Sequence, residues 1–588
     1  AVGKEALQAN TTSSWNTAVG YEALTANTTT GGNTAVGYQS LYALTTGGPN
    51  TAMGQAALQA CTDSWGNTAV GYYAMNDTTT GGYNTALGNE ALEGNTTGGY
   101  NTAIGMRALE ANTTASYNTA VGYDALKLNT TGAYNVSVGM YAVDANTTGG
   151  ENTGVGYGAL SSNTTASYNT ALGSNALNGN TTGINNTAVG KNAVKTVTTG
   201  ERNTGVGVQA LGNTATDVTN NVAVGVNALY ATTGSSNTAC GDAALYANTS
   251  GQFNVALGRN ALFENTTGDY NVALGTYALD SCTTGTRNIA MGYEAMQGLT
   301  TGIRNVAIGH HAMNAGNGQY NVAIGEQTLY NSAASNTVAV GYKALLALTT
   351  GTFNTAVGYQ ALDAISTTSS NTAIGYEVLT SATAASNTGV GDRALAAVTT
   401  GNSNTALGQG SGYNITTGAA NVCLGHHAGQ SQITTGSDNL YIANSTTAAG
   451  SANTWIYGNS SGACYQGNNS SSWSTTSDRR LKKNIVNNNV GLAEINQLRV
   501  ANFEYRTEDE IDMSEFPLAD DAHQVVLGGK EGKIYTGVIA QEIEEVIPSC
   551  IKVSDKGAKT VDNDPITWAL VNAVKELSAK NDELAAEI

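Results

Sequence analysis

A five-residue core, Asn-Thr-Ala-Val-Gly, returns along most of this 588-residue chain, and its glycine keeps a near-constant spacing. It stands at Gly3, Gly20, Gly37 and so on, always 17 apart, to Gly207, and from there to Gly425 at intervals of 16 to 18. Such 26-fold repetition of one short unit excludes a string of unrelated globular domains, which length alone would suggest. A unit this short cannot bury itself, so each copy must stack on its neighbours as one coil of a solenoid.

The idealised unit reads N-T-A-V-G-Y-x-A-L-x-x-N-T-T-G-x-Y. Asn, Thr and Gly at this density exclude a helical hairpin. Asn-Thr-Ala-Val, with its β-branched Thr and Val, reads as a short strand. Alternation puts Thr17 and Val19 on one face, Ala18 and Gly20 on the other. The expectation is that the valine face fills the coil, while the Ala/Gly face lets another backbone approach closely. After Tyr21 come a second apolar pair, Ala23-Leu24, and turn chemistry in Asn27-Thr28-Thr29 and the Gly pairs, which supply left-handed positions. Stacking at strand spacing predicts a rod of roughly 125 Å, at about 4.8 Å per coil.

Charge divides the chain. The stretch 1–477 carries 33 charged side chains and 478–588 carries 34, a more than fourfold rise in density near Ser477. Three of the four prolines, Pro517, Pro548 and Pro565, also lie beyond that point. The division expected is a repetitive β-roll shaft (1–430), a β-rich neck (431–476) and a distinct C-terminal domain (477–588). The net charge of −19 argues against nucleic acid, which needs a basic stripe, and against an anionic lipid surface. No apolar run approaches the roughly 18 residues of a membrane span, so no membrane insertion is expected. The chain opens on Ala1-Val2-Gly3, inside a repeat and without Met, which reads as a fragment whose attachment end lies elsewhere.

One Val and one or two Leu per coil make a thin core, and a small-residue face asks for a partner. Three chains around one axis answer both needs, so a homotrimer is expected. The NTAVGYEAL-type repeats, over about residues 1–430, resemble the head repeats of trimeric autotransporter adhesins. That resemblance implies a parallel β-roll, although the period departs from the shorter coil of that family.

The segment from Ser477 onward carries a second resemblance. Ser477-Asp478-Arg479-Arg480-Leu481-Lys482 fits the S-D-x-R-x-K signature of the endosialidase-type intramolecular chaperones. Gly537-Val538-Ile539-Ala540-Gln541-Glu542-Ile543 resembles their G-x-I-A-Q-E block, and Asn502-Phe503-Glu504-Tyr505 and Pro548 fall in the expected order. The resemblance implies a domain that trimerises at the end of phage tail spikes and fibres, assists shaft folding and then cuts itself off. It implies Ser477 as nucleophile, Lys482 as base, and a cut between Ser477 and Asp478, with no cofactor. The chemistry is coherent, because a Ser hydroxyl needs a base and a Lys becomes one when burial or nearby cations lower its pKa. Arg479, Arg480 and Lys483 supply such cations. The plainer alternative is that Ser477 caps a helix and the basic run is solvated.

The fold expected is thus an all-β solenoid shaft, a trimeric parallel β-roll, followed by a small α+β chaperone domain with a terminal coiled-coil helix. Leu570, Val574, Leu577, Leu584 and Ile588, with Asn581 in the same register, fit a short coiled-coil seam. The six cysteines show no metal or disulfide spacing and read as small buried side chains. His310-His311 and His426-His427 invite a metal ring in a trimer, but neighbours on a strand face opposite ways, so no metal is expected. Tyr21, Tyr38, Tyr72 and Tyr123 form one column, and Tyr83, Tyr100, Tyr117 and Tyr134 another; both read as self-stacking ladders, with sugar binding as the alternative. The Thr ladders are those of repeated β-turns, with ice binding as a remote alternative.

Function follows by association with architecture. The reading is an extracellular fibre on a virion, a phage tail fibre that meets a host surface receptor, with glycans among the candidates, and joins other tail proteins through its missing N-terminus. A bacterial surface adhesin is the second reading. A glycan-degrading tail spike is the third; it needs paired carboxylates, whereas Glu22, Asp124 and Glu294 are dispersed.

Overall fold

The computed structural model describes residues 1–431, 433–444, 454–460, 464–466, 479, 482–516, 534–554 and 557–588. Contacts divide the chain into two compact units, 1–472 and 473–588. The first is a parallel β-solenoid. Its three-residue strands, from β1 (Thr17–Val19) to β25 (Val422–Leu424), each pair in parallel with the strand one coil on. Val2 adds a parallel bridge to Val19, so the first repeat joins the stack. Register is kept throughout: Thr17 faces Thr34, Ala18 faces Ala35 and Val19 faces Val36. A longer coil and a shorter one hold the same pairing, Thr204 with Val222 and Val222 with Thr238, because the turns absorb the difference.

The two strand faces are opposite to the expectation from residue size. Ala18 is 1% exposed, whereas Val19 on the outward face is 40% exposed. The same exposed–buried–exposed pattern recurs along the stack. Ala18, Ala23 and Leu24 fill the coil instead. The strand side of the interior takes small groups, Ala in most coils and Ser137 or Cys423 in others, and a Cβ added at Gly205 would lie 2.6 Å from Val194 Cγ2. The leucine of the second apolar pair, or Val194 in its place, occupies the volume that alternation alone offers to the strand valine.

The close backbone approach at the glycine column is made by the next coil of the same chain. A Cβ on Gly173 would meet the Gly190 carbonyl oxygen at 2.6 Å, and its φ of +137° belongs to a region that side chains rarely enter. The left-handed positions also differ from expectation. Glu22 and Leu24 take φ of 53° and 54°, whereas Asn27 is not among the positive-φ residues. Asn27 is buried, and its amide donates to Thr30 O (3.0 Å) and Asn10 Oδ1 (3.2 Å). Its side chain, not its backbone, closes the turn.

Two asparagine ladders pair most of the side-chain amides inside this thin core. In the first, the Asn84 backbone N–H donates to Asn67 Oδ1 (2.8 Å) and Asn84 Nδ2 donates to Gly98 O (2.9 Å). In the second, Asn112, Asn129, Asn146, Asn163 and Asn180 each donate to Oδ1 of the asparagine one coil back, at 2.8 to 3.0 Å. Leu44, Cys61, Val197, Cys282 and Leu299 stand in that second column and are buried like the asparagines they replace. Cys423 and Cys550 are buried as well, but Cys240 is half-buried and Cys464 is exposed, against the expectation of burial for all six.

The parallel stack runs past residue 430. Strand β26 (Leu440–Ala443) pairs in parallel with β25, β27 (Thr454–Gly458) then pairs antiparallel with β26, and β28 (Cys464–Gln466) antiparallel with β27. The direction of pairing thus reverses at the end of the solenoid.

The second unit is a small α+β domain. Ile543, Ile547, Cys550 and Ala569 form its core. Helix α1 (Leu492–Ile495) precedes an antiparallel pair, β29 (Ala501–Phe503) with β30 (Tyr535–Gly537). Helix α2 (Ala540–Val546) is followed by a second pair, β31 (Ile551–Val553) with β32 (Lys559–Val561). Helix α3 (Asn563–Glu587) starts where Asp562 accepts from the Asp564 N–H (3.1 Å). It buries Ala569 and Ala573 and leaves Leu570, Val574, Leu577 and Leu584 exposed. The expected seam is therefore distinct from the face that packs on its own domain.

Candidate functional site

Ser477, Asp478 and Arg480, expected at the self-cleavage site, lie outside the described residues. Lys482 is described, and its backbone N–H donates to Arg479 O (3.2 Å). Arg479 and Lys483 are exposed beside it. The residue expected as base is thus described, in a cationic stretch, and the residue expected as nucleophile is not.

Lys482 lines an open cleft of about 930 Å³. Val486 and the Asn487–Asn489 run continue its own side, and Trp568, Val571, Asn572, Lys575 and Glu576 of α3 supply the other. Two α3 side chains fasten the segment to the helix. Asn572 Nδ2 donates to the carbonyls of Asn488 and Val490, each at 3.0 Å, and Glu576 Oε2 accepts from the Leu492 N–H at 3.0 Å. These partners are 82 to 84 positions apart, and sequence inspection offers no sign of them. Lys575 brings a further cation to the cleft.

The Ile-Ala-Gln-Glu block has a structural part in this arrangement. Ile543 enters the core, and Glu542 accepts from Arg499 Nε at 3.0 Å. The Arg499 hydrogen bond holds the Glu542 carboxyl below its usual range. Asp562, which starts α3, pairs with Lys552 at 2.7 Å, and that bond lowers its pKa likewise. Both pairs are exposed, so they orient the elements more than they stabilise them.

Residues 477–552 match the family described as chaperone of endosialidase. The match begins at Ser477 and takes in Lys482, Arg499, α2 and Pro548. No curated protein and no solved structure matches the chain. The family match thus falls within the C-terminal unit, and the repeats stand on their own geometry as a β-solenoid whose register, as between Thr17 and Thr34, recurs from coil to coil.

On the solenoid, His310 and His311 follow Gly309 rather than continuing the strand, and His311 takes a φ of 54°. Their rings consequently lie 4.0 Å apart instead of on opposite faces. His311 Nδ1 meets Glu294 Oε2 at 3.1 Å, and His310 Nδ1 lies 3.9 Å from Glu326. Among the described residues neither His pair belongs to a three-ligand cluster of metal-binding side chains. Glu22 accepts from Gln39 Nε2 (2.7 Å), and Asp124 is gripped by Arg107 through Nε (2.8 Å) and Nη2 (3.0 Å). The dispersed carboxylates are thus engaged with neighbouring coils.

Proposed function

We propose that the chain is one strand of a homotrimeric phage tail fibre that attaches to a host surface, with a C-terminal chaperone that directs its assembly and is released by cleavage at Ser477. The observation that carries the reading is the outward strand face. Val19, Met53, Leu87, Leu172, Leu257 and Leu407 occupy one position of successive or distant coils and are each 40–53% exposed. Aligned by the register, such residues form an uncharged apolar ribbon far longer than the patches that soluble monomers expose. Two further copies of the same ribbon cover it without a foreign partner. The exposed seam of α3, with Asn581 among its leucines and valine, supports parallel association at the C-terminal end.

The same assembly bears on the chemistry. Lys482 lines an open cleft within one chain, and in this reading a neighbouring chain covers that cleft in the assembly. Release in this reading waits for assembly. Light scattering of uncleaved protein is expected to give three times the 59.9 kDa chain mass. Leu172→Lys, which places three charges at one level of the ribbon, is expected to weaken the assembly while leaving the β-solenoid signal of circular dichroism intact. A stable folded monomer of the unaltered chain overturns the trimer. Failure of labelled fibres to bind any strain of a broad bacterial panel overturns attachment.

A further inference from the structure

We infer that the coils between Asp63 and Tyr134 form a binding groove for a neutral, extended β-1,4-linked glycan lying along the fibre axis. The inference rests on the attachment reading and names the ligand class and the residues. Tyr83, Tyr100, Tyr117 and Tyr134 stack at 5.0 to 5.1 Å with ring planes within 10° of one another. Each is exposed, and each holds a left-handed φ of 60° to 63°. Elsewhere in the solenoid that position is held by residues as different as Gly66, Asn185, Arg202, Ser236 and Phe253, all with positive φ. Four successive tyrosines make the longest aromatic run in that column.

Beside the ladder runs a groove of about 360 Å³, in the size range of small-ligand clefts. Gly82, Gly99 and Ser116 open its floor, Thr80 and Thr97 add hydroxyls, and Trp65, half-exposed, stands at one end. Mutual stacking covers the tyrosine ring faces, leaving ring edges and phenol hydroxyls for a ligand. Among the described residues none of these four hydroxyls has a hydrogen-bond partner. The groove thus offers a row of donors repeated once per coil, with an indole at its end.

Its chemistry selects the occupant. Asp63 is the one charged residue of the lining, which opposes nucleic acid and acidic polymers and favours a neutral, hydroxyl-rich chain. A straight row of equivalent donors suits a polymer whose units advance by about one coil spacing without winding. Extended β-1,4-linked pyranoses do so, whereas α-1,4-linked chains coil away from a straight row.

The test is titration of the intact fibre with cellohexaose, chitohexaose and maltohexaose by isothermal calorimetry. Saturable binding of at least one β-linked hexasaccharide, with maltohexaose about tenfold weaker or worse, is the expected result. The paired substitution Tyr100→Ser and Tyr117→Ser is expected to weaken binding about tenfold or more, by removal of two hydroxyl contacts. The fold carries serine at the same position at Ser236, Ser370, Ser386 and Ser403, so unchanged melting confirms that the variant is intact. Tyr270→Ser, outside the groove, is expected to bind as the unaltered fibre does. No saturable binding of either β-linked probe, equal binding of maltohexaose, or binding indifferent to the paired serines overturns the inference. If fibres still bind bacterial cells in those cases, the attachment reading stands without it; if the unaltered fibre binds no cells, that reading fails on its own.

Discussion

The side-chain oxygen of Asn180 is buried and unpaired because Val197 stands one coil on, where the next donor of its ladder would be. Asn265 shows the same defect, with Cys282 in the following coil. Position within a ladder therefore decides what an asparagine is worth. Asn129→Val removes two donated bonds and the one accepted from Asn146, and leaves Asn112 Oδ1 newly orphaned. Asn180→Val removes two bonds and one existing orphan, and only shifts the defect to Asn163. The mid-ladder variant is expected to be less stable than the end variant by about 1–3 kcal/mol per chain. Guanidinium unfolding, or hydrogen exchange of the coils concerned, measures the difference; equal losses would refute the ladder account.

Gly173→Val drives a branched side chain into the Gly190 carbonyl and holds it at a strained φ. Destabilisation by about 1–3 kcal/mol per chain is expected from the strained position alone. Asn192, at a variable position with φ of 57°, is the control; Asn192→Ser is expected to melt close to the unaltered fibre. Indistinguishable melting curves for the two variants contradict the assigned role of the glycine column.

Burial raises the Asp280 carboxyl to about 6, with Glu264 and Glu294 adding repulsion. A carboxyl raised in the folded state binds its proton more tightly there than in the unfolded chain. Its contribution is complete below the unfolded value of about 3.9 and is lost as pH rises through 6. Asp280→Asn removes that loss. Its melting temperature relative to the unaltered fibre is expected to rise from about pH 4.5 to pH 7.5. A difference that stays constant with pH shows that Asp280 does not titrate in this way.

Self-cleavage is expected to yield an N-terminal fibre and a fragment of residues 478–588, seen by denaturing gel and intact mass. Ser477→Ala and Lys482→Ala are each expected to leave full-length chains that still assemble. Lys575→Ala tests the α3 wall of the cleft, with slower cleavage as the expected effect. Unaltered protein that stays at full length through prolonged incubation removes the protease and leaves the chaperone.

The solenoid was legible because one glycine spacing fixes one coil, and the parallel register follows from that constancy. The inward face was not. Alternation separates Thr17 and Val19 from Ala18 but cannot say which side is enclosed; that choice is made by Leu24, which reaches the same interior from the far side of the coil. The His310–His311 contact was hidden for a related reason, since the strand ends at Ile308 and a left-handed residue follows. At the C-terminal unit the short motif around Lys482 is local and readable. Its opposite wall depends on Asn572 and Glu576, whose relation to residues 488–492 exists only after folding.

In-register stacking also makes the number of coils a free variable. Strand pairing joins equivalent positions of neighbouring coils, as Thr17 meets Thr34 and Val222 meets Thr238. Removing or duplicating one unit between two equivalent asparagines rejoins identical partners and leaves the reversal at β26 and β27 untouched. Gain or loss of whole repeats can therefore lengthen or shorten the shaft by a single strand spacing with the register kept, and reach becomes a trait adjustable in steps of about 4.8 Å.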